Sequence, residues 1–400
     1  QASSDNSSIN LTIDEKKNTG YFGKINLGYG TNDRYESGLM ANYFKNKTKL
    51  SVIASSNNIN SSGFSMDEVF DNMSGGRSGA STGGGITTTH TAGINYDDEW
   101  FDNFVVNGSY NFNQAENENS SRSRRINFLT DGNFITTSEN RSNTLSRNHI
   151  FNTTFEYKIA DKIKLYYSPT ASISNRESDS FSNQSTMEED ETLQNENISN
   201  SFSNSKSKNF SNNFLVVKSF DKKGRRFSLD LDTNNNKSDQ DTRLNSETYF
   251  YTTNTNDLRN QLEVNRSISD SYSFAATYAE PISDSLKIEV SMDFRNDKSV
   301  NDQNTFDFLN GSFTDRNDFL SNYVRSDSYE YTPTAGVILD KKKHNFKAIA
   351  GTRIFNYNAL SDYLQTTTNL NRDYLLPTAH LNYSYKPSRG KMLRLRYRYN

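Results

Sequence analysis

The sequence has no cysteine, one tryptophan and four histidines among its 400 residues. The lack of cysteine excludes a disulfide framework, thiolate chemistry and cysteine-ligated zinc or iron–sulfur sites. No run of about 18 apolar residues occurs, which excludes a transmembrane helix, and the chain does not open with the basic-then-apolar plan of a signal peptide. The net charge of -3 lacks the basic excess that phosphate binding needs, so no nucleic-acid partner is expected.

Apolar residues are also scarce. They make up 32% of the chain, beside 23% charged residues, which approaches the composition of chains that stay unfolded. The 23 tyrosines and 26 phenylalanines contradict disorder, because disordered segments are poor in aromatic residues. This combination favours aromatic-rich strands that are half exposed.

Two-residue alternation of apolar and polar residues recurs along the chain, whereas helical periodicity is almost absent. About fifteen alternating segments can be drawn, each with one apolar and one polar face. One segment places Phe104, Val106, Gly108, Tyr110 and Phe112 on its apolar face. Another alternates Leu286, Ile288, Val290, Met292 and Phe294 with Lys287, Glu289, Ser291, Asp293 and Arg295.

The connections between these segments alternate in length and repeat about every sixty residues. Short polar turns are predicted at Asn46–Lys47, Asp97–Asp98, Ala160–Asp161, Asp221–Gly224, Ser283–Ser285, Lys341–His344 and Pro387–Gly390. Long Asn/Ser-rich loops are predicted at 60–85, 116–146, 178–206, 238–262 and 298–322.

These features together predict an all-β fold, an antiparallel transmembrane β-barrel with long extracellular loops in the bacterial outer membrane. A β-structure crosses a bilayer only as a closed barrel, apolar outside and polar inside, with short periplasmic turns and long extracellular loops. A soluble β-sandwich or solenoid is the alternative that uses the same alternation. Aromatic girdles at the membrane interfaces are expected from Tyr110, Phe112, Tyr157, Tyr166, Tyr167, Tyr383 and Tyr385.

The stretch from Leu11 to Phe64 carries the pattern GYFGK…GYGT…RYE…NYF…K…SVIAS…NN…GF. It resembles the plug-to-barrel junction and first strands of outer-membrane barrels of the TonB-dependent receptor type. The resemblance implies an amino-terminal plug domain inside a barrel of 22 strands. It also implies import of a bound solute with energy from an inner-membrane partner.

The resemblance and the strand count divide the chain into two parts. Residues 1–19 are expected to be the end of the plug or a linker, and 20–400 a barrel that is incomplete at its carboxyl end. Fifteen strands is an odd number, whereas bacterial single-chain barrels have an even one. The plug and the last strands are therefore expected to lie outside this sequence.

No motif for catalysis, a cofactor or a metal emerges, so the protein is not expected to be an enzyme. The four histidines are scattered without paired ligand spacing. Residues 79–83 satisfy the G-x-S-x-G pattern but lie in a glycine-rich loop with no helix after it. Residues 232–243 have calcium-loop spacing but lack the turn glycine and the final glutamate.

Charged residues on the polar faces are the best candidates for contact with a solute or with the plug. An inward-facing arginine can bind an anionic group through paired hydrogen bonds. Aromatic residues of the predicted loops are further candidates at the outer mouth: Phe134, Tyr249, Phe250, Tyr251, Phe306 and Phe308. The inward-facing candidates are Arg394, Arg396, Arg398, Lys287 and Arg295.

The function predicted is a receptor and transporter for an extracellular solute, which the sequence does not identify. The expected partners are outer-membrane lipid, the protein's own plug, an inner-membrane energy-coupling protein and the solute. Two alternatives stay open: a barrel with a structural or protein-partner role that does not transport, and a secreted β-rich adhesin that never enters lipid.

Overall fold

The computed structural model describes residues 19–61, 84–128, 132–388 and 391–399. The predicted plug end or linker, the G-x-S-x-G pattern and most of the predicted loop at 60–85 lie outside these ranges. Within them the chain is all-β, and no helix has the length and hydropathy needed to cross a membrane. The strands are β1 (Thr19–Tyr29), β2 (Tyr35–Lys45), β3 (Thr48–Asn57), β4 (Ile86–Phe101), β5 (Phe104–Asn127), β6 (Phe134–Ala160), β7 (Ile163–Glu188), β8 (Leu193–Ser219), β9 (Arg226–Phe250), β10 (Thr255–Pro281), β11 (Leu286–Leu309), β12 (Ser312–Arg316), β13 (Asn322–Asp340), β14 (His344–Tyr363), β15 (Thr366–Ser388) and β16 (Lys391–Tyr399).

All sixteen strands belong to one antiparallel sheet. Fifteen of them pair in chain order, and the short β12 lies off this path and pairs with β11. Among the described residues β1 pairs only with β2 and β16 only with β15, so the sheet is open. This up-and-down order follows from the hairpin connections, because two antiparallel strands need only a short turn between them.

The register places the apolar residues of successive strands on a common face, here called the outer face. Val290 of β11 lies opposite Tyr278 of β10 and Ala335 of β13. The facing predicted from alternation is therefore confirmed, with Lys287, Glu289, Ser291, Asp293 and Arg295 on the opposite, inner face.

Most apolar side chains of the outer face have no second layer of protein over them. Ile25 is 70% exposed, Leu27 80% and Val290 51%. A sandwich would bury these side chains between two layers, but the described strands form one sheet with no second layer against it. Only Met40, Ile53, Val106, Ile135 and Ala279 are buried apolar residues in the described part of the chain.

The outer face changes from apolar to polar partway along each long strand. On β8 the outward residues Val216, Phe214 and Phe210 are apolar, with Asn212 among them, and the polar part continues with Lys208 and Lys206. This apolar band covers roughly eight residues per strand, which at about 3.3 Å per residue and a tilt of about 40° spans about 20 Å. The height suits the hydrocarbon layer of an outer membrane.

The long connections take a different form from the irregular loops predicted by the sequence. Strands β5 to β11 are 24 to 27 residues long. Most of the Asn/Ser-rich stretches from 116 to 322 are paired strands that continue beyond the apolar band, and we call this region the extension. Its hairpins close in short turns, such as 189–192 between β7 and β8 and 251–254 between β9 and β10.

Two local predictions were wrong. The turn expected at Asp97–Asp98 lies at 102–103, because Asp97 and Asp98 pair with Asn107 and Val106 and continue β4. Tyr166, expected in an aromatic girdle, lies on the inner face opposite Glu156. Its neighbour Tyr167 points to the outer face and stacks at 6.1 Å on Phe155.

A charged cluster ties the turn after β8 to the end of β10, beyond the apolar band. Arg225 donates two hydrogen bonds to the Glu280 carboxylate, at 2.7 and 2.8 Å. Lys222 and the Tyr278 hydroxyl each donate one more, at 2.7 Å. These hydrogen bonds hold the pKa of Glu280 well below its ordinary range, and Arg225 has the largest effect, followed by Lys222.

We expect the Glu280 cluster to make stability fall in acid. A carboxyl whose pKa is lowered in the folded state stabilises it fully above the ordinary value of about 4.3. That contribution declines as the pH falls below this value and is lost below the folded-state pKa. In urea titrations in micelles, Glu280→Gln should lower the unfolding midpoint at pH 7, and the difference from wild type should shrink below about pH 4.3. A difference that stays constant down to pH 3 would contradict this account.

The facing of β11 predicts opposite outcomes for two adjacent arginine substitutions. Val290→Arg places a charge in the middle of the apolar band, at a cost of roughly 2 to 4 kcal/mol. Ser291 faces inward, where its hydroxyl lies 2.7 Å from that of Thr334, and Ser291→Arg should be tolerated. The measurement is the fraction of membrane-inserted protein whose gel mobility changes on heating. Equal losses in both variants would refute the assigned facing.

Candidate functional site: the inner face of the sheet

The inner face of β5 to β10 is dominated by neutral, small polar side chains. On β8 every inward residue from Asn195 to Asn213 is serine or asparagine. Neighbouring strands continue this surface with residues such as Ser174, Asn148 and Asn234. We call it the serine–asparagine wall.

Hydrogen bonds between strands order the wall. Asn209 donates to the Asn234 side-chain oxygen at 2.7 Å, and Ser174 donates to the Asn148 oxygen at 2.6 Å. Hydroxyl and amide groups can both donate and accept, so cross-strand pairs of them support strand pairing without a hydrophobic face. The remaining donors and acceptors present a surface for a hydroxylated or amide-bearing solute.

Charges concentrate on the inner face of the last strands, β11 and β13 to β16. Lys287, Lys347 and Arg396 occupy one register row, with Ile338 and Asn382 between them. Four strand spacings of about 4.8 Å separate Lys287 from Arg396 by roughly 19 Å. The structure therefore aligns these two predicted residues but does not bring them into contact.

The three predicted arginines of β16 lie on its inner face, exposed and alternating with the outward Leu393, Leu395, Tyr397 and Tyr399. Arg394 lies opposite Ser384, Arg396 opposite Asn382 and Arg398 opposite His380. Within the described residues no carboxylate pairs with them. They form a row of three cations at alternate positions along one strand, suited to an extended anionic group.

Other inward charges are neutralised by partners that the sequence did not predict. Arg295 pairs with Asp297 at 2.7 Å, Lys347 with Glu289 at 3.1 Å, and Arg353 with Glu330 at 2.6 Å. The Lys347–Glu289 pair links β14 to β11, two strands away in the sheet, whereas the Arg353–Glu330 pair links the neighbouring strands β14 and β13. The alternation indicated which way these residues point, but only the register between strands could reveal their partners.

Two glycines on the inner face allow the last strands to approach closely. A Cβ atom on Gly336 would lie 2.4 Å from the Ala348 carbonyl oxygen and 2.7 Å from Ile349 Cγ1. Gly351 is equally crowded, at 2.3 Å from the Pro333 oxygen. Because Gly336 lies between Glu289 and Ile349 in the register, its missing side chain leaves room for the Lys347–Glu289 ion pair.

The described residues hold few arrangements that resemble a metal-binding or catalytic site. No group of three or more histidine, aspartate or glutamate side chains is placed there to hold a metal ion. The stretch with calcium-loop spacing, 232–243, is part of β9, and the strand alternation sends its oxygen side chains to both faces. His90, His149 and His344 each lie 2.9 Å from a serine or tyrosine hydroxyl.

Two adjoining clefts lie on the outer side of the extension. The larger, of about 690 Å³, is bordered by Glu118, Arg141, Asp179 and Phe181. The smaller, of about 460 Å³, contains the predicted Phe308, whose ring lies 5.0 Å from that of Phe313. Both clefts face away from the serine–asparagine wall, so a molecule held in them is not on the path along the inner face.

The other predicted aromatics are dispersed. Phe134 and Phe250 lie on the inner face, Tyr249 and Phe306 on the outer face, and Tyr251 in a turn. Tyr249 and Tyr251 contact each other edge to face at 4.8 Å. The structure does not gather these six residues into one site.

The crowding at Gly336 predicts a specific loss of stability. Gly336→Ala should destabilise the protein by about 1 to 3 kcal/mol, because the backbone of β14 must move to admit the methyl group. Gly20→Ala is the matched control, since no atom lies within 4 Å of its added Cβ. Unfolding of both variants in urea would be monitored by the heat-dependent change in gel mobility. Equal urea midpoints for Gly336→Ala and Gly20→Ala would refute the close approach.

Comparison with known proteins agrees with this architecture. Residues 218–400 match the model of the outer membrane protein beta-barrel family. No curated protein matches the chain. Among solved structures, the alcaligin outer membrane receptor FauA from Bordetella pertussis is 7% identical, with 96% of this chain and 74% of that chain covered and a TM-score of 0.18, which is too low to define a shared fold. The apolar outer face, the polar inner face and the family match together make this chain an outer-membrane β-barrel protein of bacteria.

Proposed function

We propose that the protein is a receptor that captures an extracellular solute and passes it into the periplasm with energy from an inner-membrane partner. The observation that carries the proposal is the inner face, on which polar side chains predominate from the extension to the periplasmic turns. A barrel with only a structural role needs no such extended set of donors, acceptors and unpaired cations. The outer-membrane location removes the secreted adhesin from consideration.

The two parts of the inner face suggest two roles in this process. The serine–asparagine wall extends above the apolar band and offers a solute many weak, exchangeable hydrogen bonds. The arginines of β16 offer charge-assisted bonds, which are about twice as strong as neutral ones. We propose that the solute is first captured along the wall. Its anionic group is then oriented by Arg394, Arg396 and Arg398.

Energy coupling rests on the resemblance of residues 11–64 to TonB-dependent receptors. The described part of this stretch forms β1, β2 and β3, the first strands of the sheet. A plug domain preceding them would fill the barrel and contact the inner face. The inner-membrane protein would then act on that plug, so both are proposed partners.

Uptake by whole cells tests the proposal. Cells with and without the gene would be given labelled ferric chelates, oligosaccharides, peptides and cobalamin, each with and without a protonophore. We expect accumulation of at least one solute class to depend on the gene and to stop with the protonophore. Gene-dependent uptake that the protonophore does not reduce would indicate a passive barrel. The absence of any gene-dependent uptake would indicate a structural or partner-binding role.

The arginines can be tested in the same assay. Arg394→Gln, Arg396→Gln and Arg398→Gln combined should reduce uptake of an anionic solute roughly tenfold, the loss expected from one charge-assisted hydrogen bond. Lys341→Gln with Lys342→Gln removes charge from a periplasmic turn and should leave uptake unchanged. Equal uptake by both variants would remove the arginines from the solute path.

A further inference from the structure

Two lysines lie directly opposite each other on the outer face, just above the apolar band. Lys208 of β8 pairs in register with Lys237 of β9. On β8, Lys208 is the next outward residue after Phe210, which is apolar and 47% exposed. Like charges facing each other across two strands destabilise the pairing unless an anion lies between them.

The surrounding charges do not neutralise this pair. Asp239 lies 3.7 Å from Lys237 and also 3.7 Å from Arg266. Arg266 makes a shorter contact, of 2.7 Å, with Asp241. Lys206, the next outward residue of β8, lies opposite Asp239. Lys208 and Lys206 have no ion pair within 4 Å among the described residues. With Arg266 paired to Asp241, the three lysines are left with Asp239 as the one aspartate beside them, and a net positive charge remains.

The neighbours of the lysine pair favour a lipid over a soluble anion. In the same register row Lys208 is flanked by Ile173 of β7, and Lys237 by Ile268 of β10. Both isoleucines are 41% exposed. Exposed isoleucines on either side of two cations, one residue step above an apolar band, suit a ligand with a phosphate and an apolar body.

We propose that Lys208 and Lys237, assisted by Lys206, bind the phosphate of a phosphorylated lipid in the outer leaflet of the outer membrane. The two ammonium groups would share the phosphate oxygens through charge-assisted hydrogen bonds. The bound anion removes the repulsion between the lysines, and Phe210, Ile173 and Ile268 contact the apolar part of the lipid. This site lies on the opposite face from the proposed solute path and does not depend on transport.

Binding in nonionic detergent micelles tests the site. Purified protein would be titrated with lipid A, with enzymatically dephosphorylated lipid A and with inorganic phosphate, and bound species counted by native mass spectrometry. We expect lipid A to bind and the dephosphorylated lipid to bind much more weakly. Lys208→Gln with Lys237→Gln should weaken lipid A binding on the order of 30-fold, as expected for two lysines at an anionic surface.

Two further variants make the result specific. Lys341→Gln with Lys342→Gln removes the same charge at the periplasmic end and should bind lipid A like wild type. Lys208→Arg with Lys237→Arg keeps both cations and should retain binding. Heat-dependent gel mobility establishes that each variant is folded, and if the glutamine variant fails to assemble, Lys208→Gln alone replaces it.

A stability measurement separates the lipid site from a merely structural role. In micelles without lipid A, Lys208→Gln should be at least as resistant to urea as wild type, because the repulsion with Lys237 is removed. With lipid A added, wild type should gain resistance and the variant should not. The proposal is overturned if the glutamine variant binds lipid A as well as wild type. It is also overturned if dephosphorylated lipid A binds with the same affinity as lipid A, or if millimolar inorganic phosphate binds as well as the lipid.

Discussion

The pairing of backbone groups inside hydrocarbon is the constraint on which this structure depends. A bilayer offers no water to an unpaired N–H or carbonyl group, so each spanning strand must find its partners in neighbouring strands. The described chain meets this demand between its two edge strands, with a continuous antiparallel ladder from β1 to β16. Because that ladder is a single layer, the residues of its outer face meet the surrounding medium directly, and exposed side chains such as Ile25 and Val290 require that medium to be lipid.

Beyond the lipid, the same ladder must be held together in water without a core. The extension achieves this with side-chain hydrogen bonds between strands, such as Asn209 with Asn234 and Ser174 with Asn148. Each such bond contributes only about 0.5 to 1.5 kcal/mol, but strands of 24 to 27 residues repeat them many times. The outer face adds ion pairs, for example Arg147 with Glu177 at 3.4 Å, which contribute little individually at exposed positions.

Sequence reasoning predicted the facing of the strands better than their extent. Alternation assigned Val290 outward and Ser291 inward without any knowledge of neighbouring strands, because side chains alternate with a period of two. It failed on the Asn/Ser-rich stretches, where both residue types usually signal turns. On β8, serine and asparagine alternate with Phe202, Lys206 and Lys208, and cross-strand pairing overrides their weak intrinsic preference for strands.

Contacts between strands could not be predicted from the sequence, for a different reason. The Lys347–Glu289 pair depends on the register of three strands and on the absence of a side chain at Gly336. A register shift of one residue would turn Lys347 to the lipid side, and local composition does not exclude such a shift. The arginines of β16 needed no register, since one strand contains all three, and their common face was predicted correctly.

The alternation of β8 places two proposed functions in one segment. Its residues 205 to 210 read Ser-Lys-Ser-Lys-Asn-Phe, so the serines and Asn209 point to the inner face while the lysines and Phe210 point outward. The inward set belongs to the proposed solute path and the outward set to the proposed lipid site. Substitutions one position apart should therefore affect different ligands, because a strand in a single-layer sheet exposes adjacent residues to different environments.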